Sequence, residues 1–130
     1  MSRVCRTLGS AGASEKPMFW RRDHGALAGK SVAAALEAGV PVAKAFNTCG
    51  VENMADPHCP QGDVFMPVAG DDAQARARVI ALATLMGFDA IDLGLLKAAR
   101  YLEPFAMVWI EMALRLGHGR DFAFVRQRRG

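Results

Sequence analysis

Asp56, His58 and Cys59 sit together in the 130-residue sequence and are of types that could ligate a metal. No second cluster follows, and His24 and His118 have no ligand spacing to them, so the three read as loop residues and no metal is expected. Cys49 follows a predicted strand end, where α/β folds often place a nucleophile. Nothing local marks a base for it, and a packed thiol is the plainer reading. Asp71-Asp72 has the form of an acid–base pair, but it precedes a helical run, where carboxylates accept hydrogen bonds from the free N–H groups of the first turn. Arg100 and Glu103 are one helical turn apart and either pair with each other or meet the carboxyl edge of a sheet, where Arg100 would face a ligand. Asn47 and Thr48 have the better claim to binding. They end a predicted parallel strand, the place where amide and hydroxyl side chains meet a bound cofactor.

The elements that would position these residues follow from the pattern of apolar side chains. Residues 1–24 have no sustained periodicity, and Gly9, Gly12 and Pro17 break any helix, so an irregular lead-in is expected. From Leu27 a helical pattern runs through Val32 and Leu36 to Gly39, which stands just past its end. Val40–Phe46 is short and apolar and reads as a strand. Glu52 to Gly62 holds Asn53, Asp56-Pro57, Cys59-Pro60 and Gly62 and reads as a loop.

Asp63–Ala69 is a second strand, apolar enough to be buried on both faces, although Pro67 cannot donate to a ladder. Asp71 or Asp72 opens a helix with Ala75, Val79, Leu82 and Met86 on one face and Gln74, Arg76 and Arg78 away from it. Gly87 ends it, and Phe88–Asp92 alternates as a third strand. Strand, helix and strand with short connections make a βαβ unit of parallel strands, so the class is α/β.

Helix 97–116 follows, with Leu102, Ala106, Trp109, Ala113 and Leu116 on one stripe and Tyr101, Phe105, Val108 and Met112 beside it. That is more apolar surface than one sheet face requires. A second packing partner is inferred, in the same domain or in another subunit. Asp121–Val125 is a short amphipathic element of either type, followed by a basic tail.

Composition narrows the function class. A 52% hydrophobic and 22% charged content is that of a globular domain. The net charge is +3, and the basic residues are concentrated at the two ends of the chain, where they read as solvated ends, so nucleic-acid binding is not expected. Three cysteines, Cys5, Cys49 and Cys59, without C-x-x-C spacing fit reduced thiols in a cytoplasm. No apolar run approaches the roughly 20 residues that span a bilayer, and no membrane association is expected. Neither G-x-G-x-x-G nor G-x-x-x-x-G-K-[ST] occurs.

Six blocks in order, Val42-Ala-Lys-Ala-Phe-Asn-Thr48, Met54-Ala-Asp-Pro57, Val68-Ala-Gly-Asp-Asp72, Gly87-Phe-Asp-Ala-Ile-Asp-Leu-Gly94, Ala98-Ala-Arg-Tyr-Leu-Glu-Pro104 and Gly117-His-Gly-Arg-Asp-Phe-Ala-Phe124, carry a resemblance. The chain resembles the C-terminal half of the NADP-dependent oxidoreductases related to NADPH:coenzyme F-420 reductase.

The resemblance implies a partial Rossmann-type parallel sheet of about three strands with a long apolar C-terminal helix. Residues 25–94 would be the C-terminal part of the Rossmann-like domain, and 95–130 a helical region with a basic tail. The implied activity is hydride transfer between NADP and a deazaflavin, such as coenzyme F-420, or another acceptor. Asn47, Thr48 and Val51 would lie by the nicotinamide end of NADP, and Gly119, Asp121 and Phe122 near the acceptor ring, with Arg100 also on the acceptor side. No catalytic acid or base is assigned, because hydride transfer needs mainly closeness and ring alignment. A homodimer through helix 97–116 is expected.

Two departures stand out. Leu95 replaces the proline of the usual D-x-G-P-L, and the family's N-terminal glycine-rich half has no counterpart, so a truncated, non-catalytic fragment is an expected origin. The alternative function is an interaction or dimerisation module without enzymatic activity.

Overall fold

A computed structural model describes residues 39–130. The expected lead-in, the helix from Leu27 and Cys5 lie outside the described residues. In chain order the elements are β1 (Ala43–Lys44), α1 (Val51–Ala55), β2 (His58–Cys59), β3 (Gly62–Asp63), β4 (Phe65–Gly70), α2 (Ala73–Leu85) and β5 (Asp89–Gly94). A continuous helical run then passes from a 3-10 turn (Leu96–Tyr101) through α3 (Leu102–Ile110) into a π-helical turn (Glu111–Arg115). The class is α/β, and the sheet order is β1-β4-β5.

β4 and β5 are parallel, pairing Phe65 with Asp89 through Ala69 with Gly94, and α2 makes the crossover between them. That is the βαβ unit expected from the rhythm of the sequence. The sheet is not parallel throughout, because β1 runs antiparallel to β4, with Ala43 opposite Gly70 and Lys44 opposite Ala69. The chain leaves β1 alongside β4. Phe46 N–H donates to Met66 Sδ at 3.1 Å and Thr48 Oγ1 to Phe65 O at 3.2 Å, so residues 46–48 arrive at the amino end of β4. β4 then starts from that same end. Parallel pairing would need a crossover back to the opposite edge, and antiparallel pairing does not.

β1 is also shorter than expected. Its pairing stops at Ala69, short of Pro67, whose ring nitrogen has no hydrogen for a ladder. The expected loop 52–62 carries two pieces of order, α1 and the hairpin of β2 with β3, where His58 faces Asp63 and Cys59 faces Gly62.

The two faces of β4 bury different partners. Val64, Met66 and Val68 pack with Val79 and Ala83 of α2, with Ala43 and Ala45, and with Phe88. Ala69, on the other face, packs with Leu96 and Ala99 at the start of the helical run. Alternation along a strand dictates this split. The buried side of α2 is Val79 and Ala83, whereas Leu82 and Met86 are exposed, so the helix is turned from the expected face. Arg76 belongs to the buried side and uses it: Nε donates to Asp92 Oδ1 at 2.9 Å, and Nη1 to Gly70 O.

The two aspartates divide their work. Asp72 is the N-cap, accepting from Ala75 N–H at 2.7 Å, as a carboxylate before a helix should. Asp71 accepts from Leu96 N–H at 3.0 Å and so fixes the start of the C-terminal helical run. From there the run buries Leu102, Trp109 and Ala113 and leaves Tyr101, Val108, Leu114 and Leu116 exposed. Leu116 is therefore not part of the buried stripe.

Candidate functional site

The residues with binding chemistry gather at the amino end of β4. Phe46, with φ of 54°, takes the left-handed conformation that a bulky residue rarely adopts. Its ring is held edge-on to Phe88, with centroids 5.7 Å apart. This bend delivers Asn47 and Thr48. Asn47 Nδ2 donates to Leu102 O at 2.8 Å and ties the turn to α3, while Thr48 is buried on Phe65 O. Both stand beside the start of β4, not at the carboxyl end of a parallel strand, and both side chains shape the backbone that leads to Val51.

Cys49 comes next and is packed against the cluster of Val64, Met66 and Phe88. Burial pushes its thiol up to about 11, so it is protonated at neutral pH and a poor nucleophile. Gly50 then passes directly over Trp109. A Cβ there would stand 2.7 Å from the indole atoms Cη2 and Cζ2, so only glycine fits.

Val51 opens α1 and is 64% exposed. The next two residues bind the C-terminal segment. Glu52 accepts two hydrogen bonds from Arg120, at 2.6 and 3.3 Å, and this pairing holds its carboxyl below the usual carboxylate range. Asn53 Nδ2 donates to Phe122 O at 3.0 Å. The indole Nε1–H of Trp109 donates to the same carbonyl at 2.9 Å.

The Phe122 ring stacks on Trp109, with centroids 5.4 Å apart and planes 26° apart. Phe124, Phe105 and Phe65 continue the series of rings back to β4. Val51, Gly119, Asp121 and Phe122 are thereby brought to one part of the surface. Arg100 is not. It is exposed in the 3-10 turn, donates to Tyr101 Oη at 2.7 Å and lies over that ring. Its expected partner Glu103 pairs instead with Lys44 at 3.2 Å.

Glu52, Asn53, Trp109 and Arg120 are the residues of this site that sequence reasoning missed. Glu52 and Arg120 stand 68 positions apart, and no local pattern joins them. The site offers an apolar exposed side chain and stacked rings, while the N–H donors of Asn53 and Trp109 are both taken by Phe122 O. Among the described residues no group of three or more His, Cys, Asp or Glu could hold a metal, and no helix is long and apolar enough to cross a membrane. Cys49 and Cys59 are free thiols.

NADP, which the sequence resemblance implies, fits these residues in part. Val51 offers an apolar surface to a ring. A diphosphate has no cradle among the described residues, because the strand-to-helix turn at Gly70 carries the carboxylates of Asp71 and Asp72, which repel phosphate.

No family model matches the chain, and no curated protein matches it. Solved structures do. A candidate F420-dependent NADP-reductase from Arthrobacter sp. FB24 is 33% identical with a TM-score of 0.67, over 77% of this chain and 45% of that one, its C-terminal half. A hypothetical protein from Sinorhizobium meliloti is 32% identical with a TM-score of 0.53, over 61% of this chain and 38% of its own. This chain thus spans less than half the length of either. The resemblance carried by the six sequence blocks and the likeness in three dimensions point to the same kind of protein and to the same half of it.

Proposed function

We propose that the chain carries the acceptor-side part of an NADP-dependent oxidoreductase, which moves a hydride between NADP and a deazaflavin such as coenzyme F420 or another acceptor. The observation that supports this reading is the likeness to the Arthrobacter protein, at 33% identity over 77% of this chain. In this reading Val51 lies against the nicotinamide, with Asn47 and Thr48 fixing the turn that presents it. Gly119, Asp121 and Phe122 border the acceptor ring, and Arg100 stands on the acceptor side as a separate contact. The reaction needs two flat rings held face to face, and the protein's share of it is position.

NADPH titration of the chain, followed by the nucleotide's fluorescence, tests the reading, with F420 absorbance as a second readout. Saturable binding of either is expected, weakened by Val51→Asp. Binding of neither by a folded chain would sink it, and would leave a non-catalytic interaction module as the better account.

One observation favours that second reading. Pro104, Met107, Val108, Met112 and Leu116 form an open apolar groove of about 400 Å³ on the outer side of the helical run, with Glu111 at its rim. A homodimer through helix 97–116 would cover it. Val108→Glu should then halve the mass measured by sedimentation, whereas a wild-type chain that is monomeric at all concentrations excludes the dimer.

A further inference from the structure

The segment after the helical run is attached differently from the rest of the described chain. Gly117 and Gly119 have φ of 75° and 76°, and a Cβ at either would meet nothing within 4 Å. Glycine is needed there for backbone conformation, not for close packing. Between these glycines and Val125 the chain has no regular element apart from the single bridge of Val125 to Val64.

The fixings are mostly side-chain contacts: Phe122 stacks on Trp109, Phe124 meets Phe105, and Ala123 packs on the cluster of Val64 and Met66. On the main chain Phe122 O accepts from Asn53 and Trp109 and Phe124 O from Phe65 N–H at 2.9 Å, while Arg120 and Arg126 pair with Glu52 and Asp89 and Gln127 donates to Gln61 O. Exposed ion pairs hold weakly, because water screens the charges. Beneath the segment, by contrast, Val64 and Trp109 are almost wholly buried. A layer with no helix and only one strand bridge of its own therefore covers a tightly packed one, and a segment without cooperative backbone pairing can open locally at lower free energy than global unfolding.

We propose that residues 117–126 are a hinged strap, which opens about Gly117 and Gly119 and gates access to Trp109 and the Asn53 amide. Phe122 is its latch, since one residue supplies both the stacked ring and the carbonyl on which two donors converge. Glu52 and Asp89 are the anchors at its two ends. The device does not depend on which ligand the chain binds.

The test uses the full chain carrying Trp20→Phe, which leaves Trp109 as its single tryptophan. Two readouts follow the strap: acrylamide quenching of Trp109 emission, and hydrogen exchange of the Phe65 amide, whose acceptor is the strap carbonyl of Phe124. The amides of Met66 and Val68, within β4, report global opening. Phe65 is expected to exchange about tenfold or more faster than these two. Glu52→Gln should raise both Trp109 quenching and Phe65 exchange about two- to fivefold, the change that loss of one exposed ion pair gives. Val68 should stay unchanged, and Arg126→Gln should act in the same direction from the other end.

Exchange of Phe65 and Val68 at one common rate would overturn the proposal, because the segment would then open only with the whole fold. So would fast exchange at Phe65 with Trp109 still shielded in Glu52→Gln, because the strap would then fray from its far end without swinging.

Discussion

Cys49 illustrates how a residue type suggests chemistry that its surroundings then remove. Its position after a strand end fits a nucleophile, but it is packed in the core cluster below β4 and its thiol is raised to about 11. A raised pKa favours the protonated form, so the contribution to stability is complete below the free thiol's ordinary value. It is lost as pH rises from there through about 11. Iodoacetamide at pH 8 should therefore modify Cys49 at least about tenfold more slowly in the folded chain than in urea, as read by mass spectrometry. Equal rates would show that the thiol is not buried. Gly50 gives a second prediction at this scale. Gly50→Ala sets a methyl 2.7 Å from the buried Trp109 ring and should destabilise the fold by about 1–3 kcal/mol, measured by urea unfolding. The sequence shows a glycine after a cysteine and a tryptophan in a later helix. It does not show that they touch, because that contact spans 59 positions and depends on how the helical run lies over the sheet.

At the scale of elements, what local forces decide was legible and what packing decides was not. The cap of α2 is local: a carboxylate at position 72 has free N–H groups within reach whatever else the chain does. Asp72→Ala should accordingly lower stability by about 1 kcal/mol. Asp71→Ala should instead speed hydrogen exchange at Leu96, whose N–H would lose its acceptor, while leaving the Ala75 amide protected. Equal effects of both substitutions on Ala75 would mean that the two aspartates share the cap. The face of α2 is not a local matter. Ala75, Val79, Leu82 and Met86 make a good apolar stripe, yet the helix is rotated so that Val79 and Ala83 are buried and Arg76 reaches Asp92 and Gly70 O. An alanine-rich helix has no strongly preferred face, so an ion pair and a backbone acceptor at the end of the sheet can choose it. The strand direction of β1 escaped for a related reason. Strand character is written in Val40–Phe46, but direction is set by where the connection leads, and here the Phe46 bend keeps the chain at one end of β4.

For the whole molecule, six sequence blocks carry the resemblance that the solved structures also show, and the structure explains why they are spread along the chain. They supply β1, the end of α1, the turn from β4 into α2, β5, the entry to the helical run and the strap, which meet only when folded. The pairs that close this arrangement at its C-terminal end, Glu52 with Arg120 and Asp89 with Arg126, make the molecule sensitive to acid. Hydrogen bonding to the arginine holds each carboxyl below its ordinary value, so each contributes stability above the unfolded value that is lost as pH falls through the folded one. The window therefore lies below about pH 4, on the acid side of ordinary carboxylates. Lowering the pH through it should raise Trp109 quenching before the circular dichroism of the sheet and helices changes, because both carboxylates anchor the strap and neither lies in the core. Glu52→Gln, already without one anchor, should show a smaller pH-dependent increase from a higher starting level. Loss of secondary structure at the same pH as the rise in quenching would place the acid-sensitive groups elsewhere in the fold.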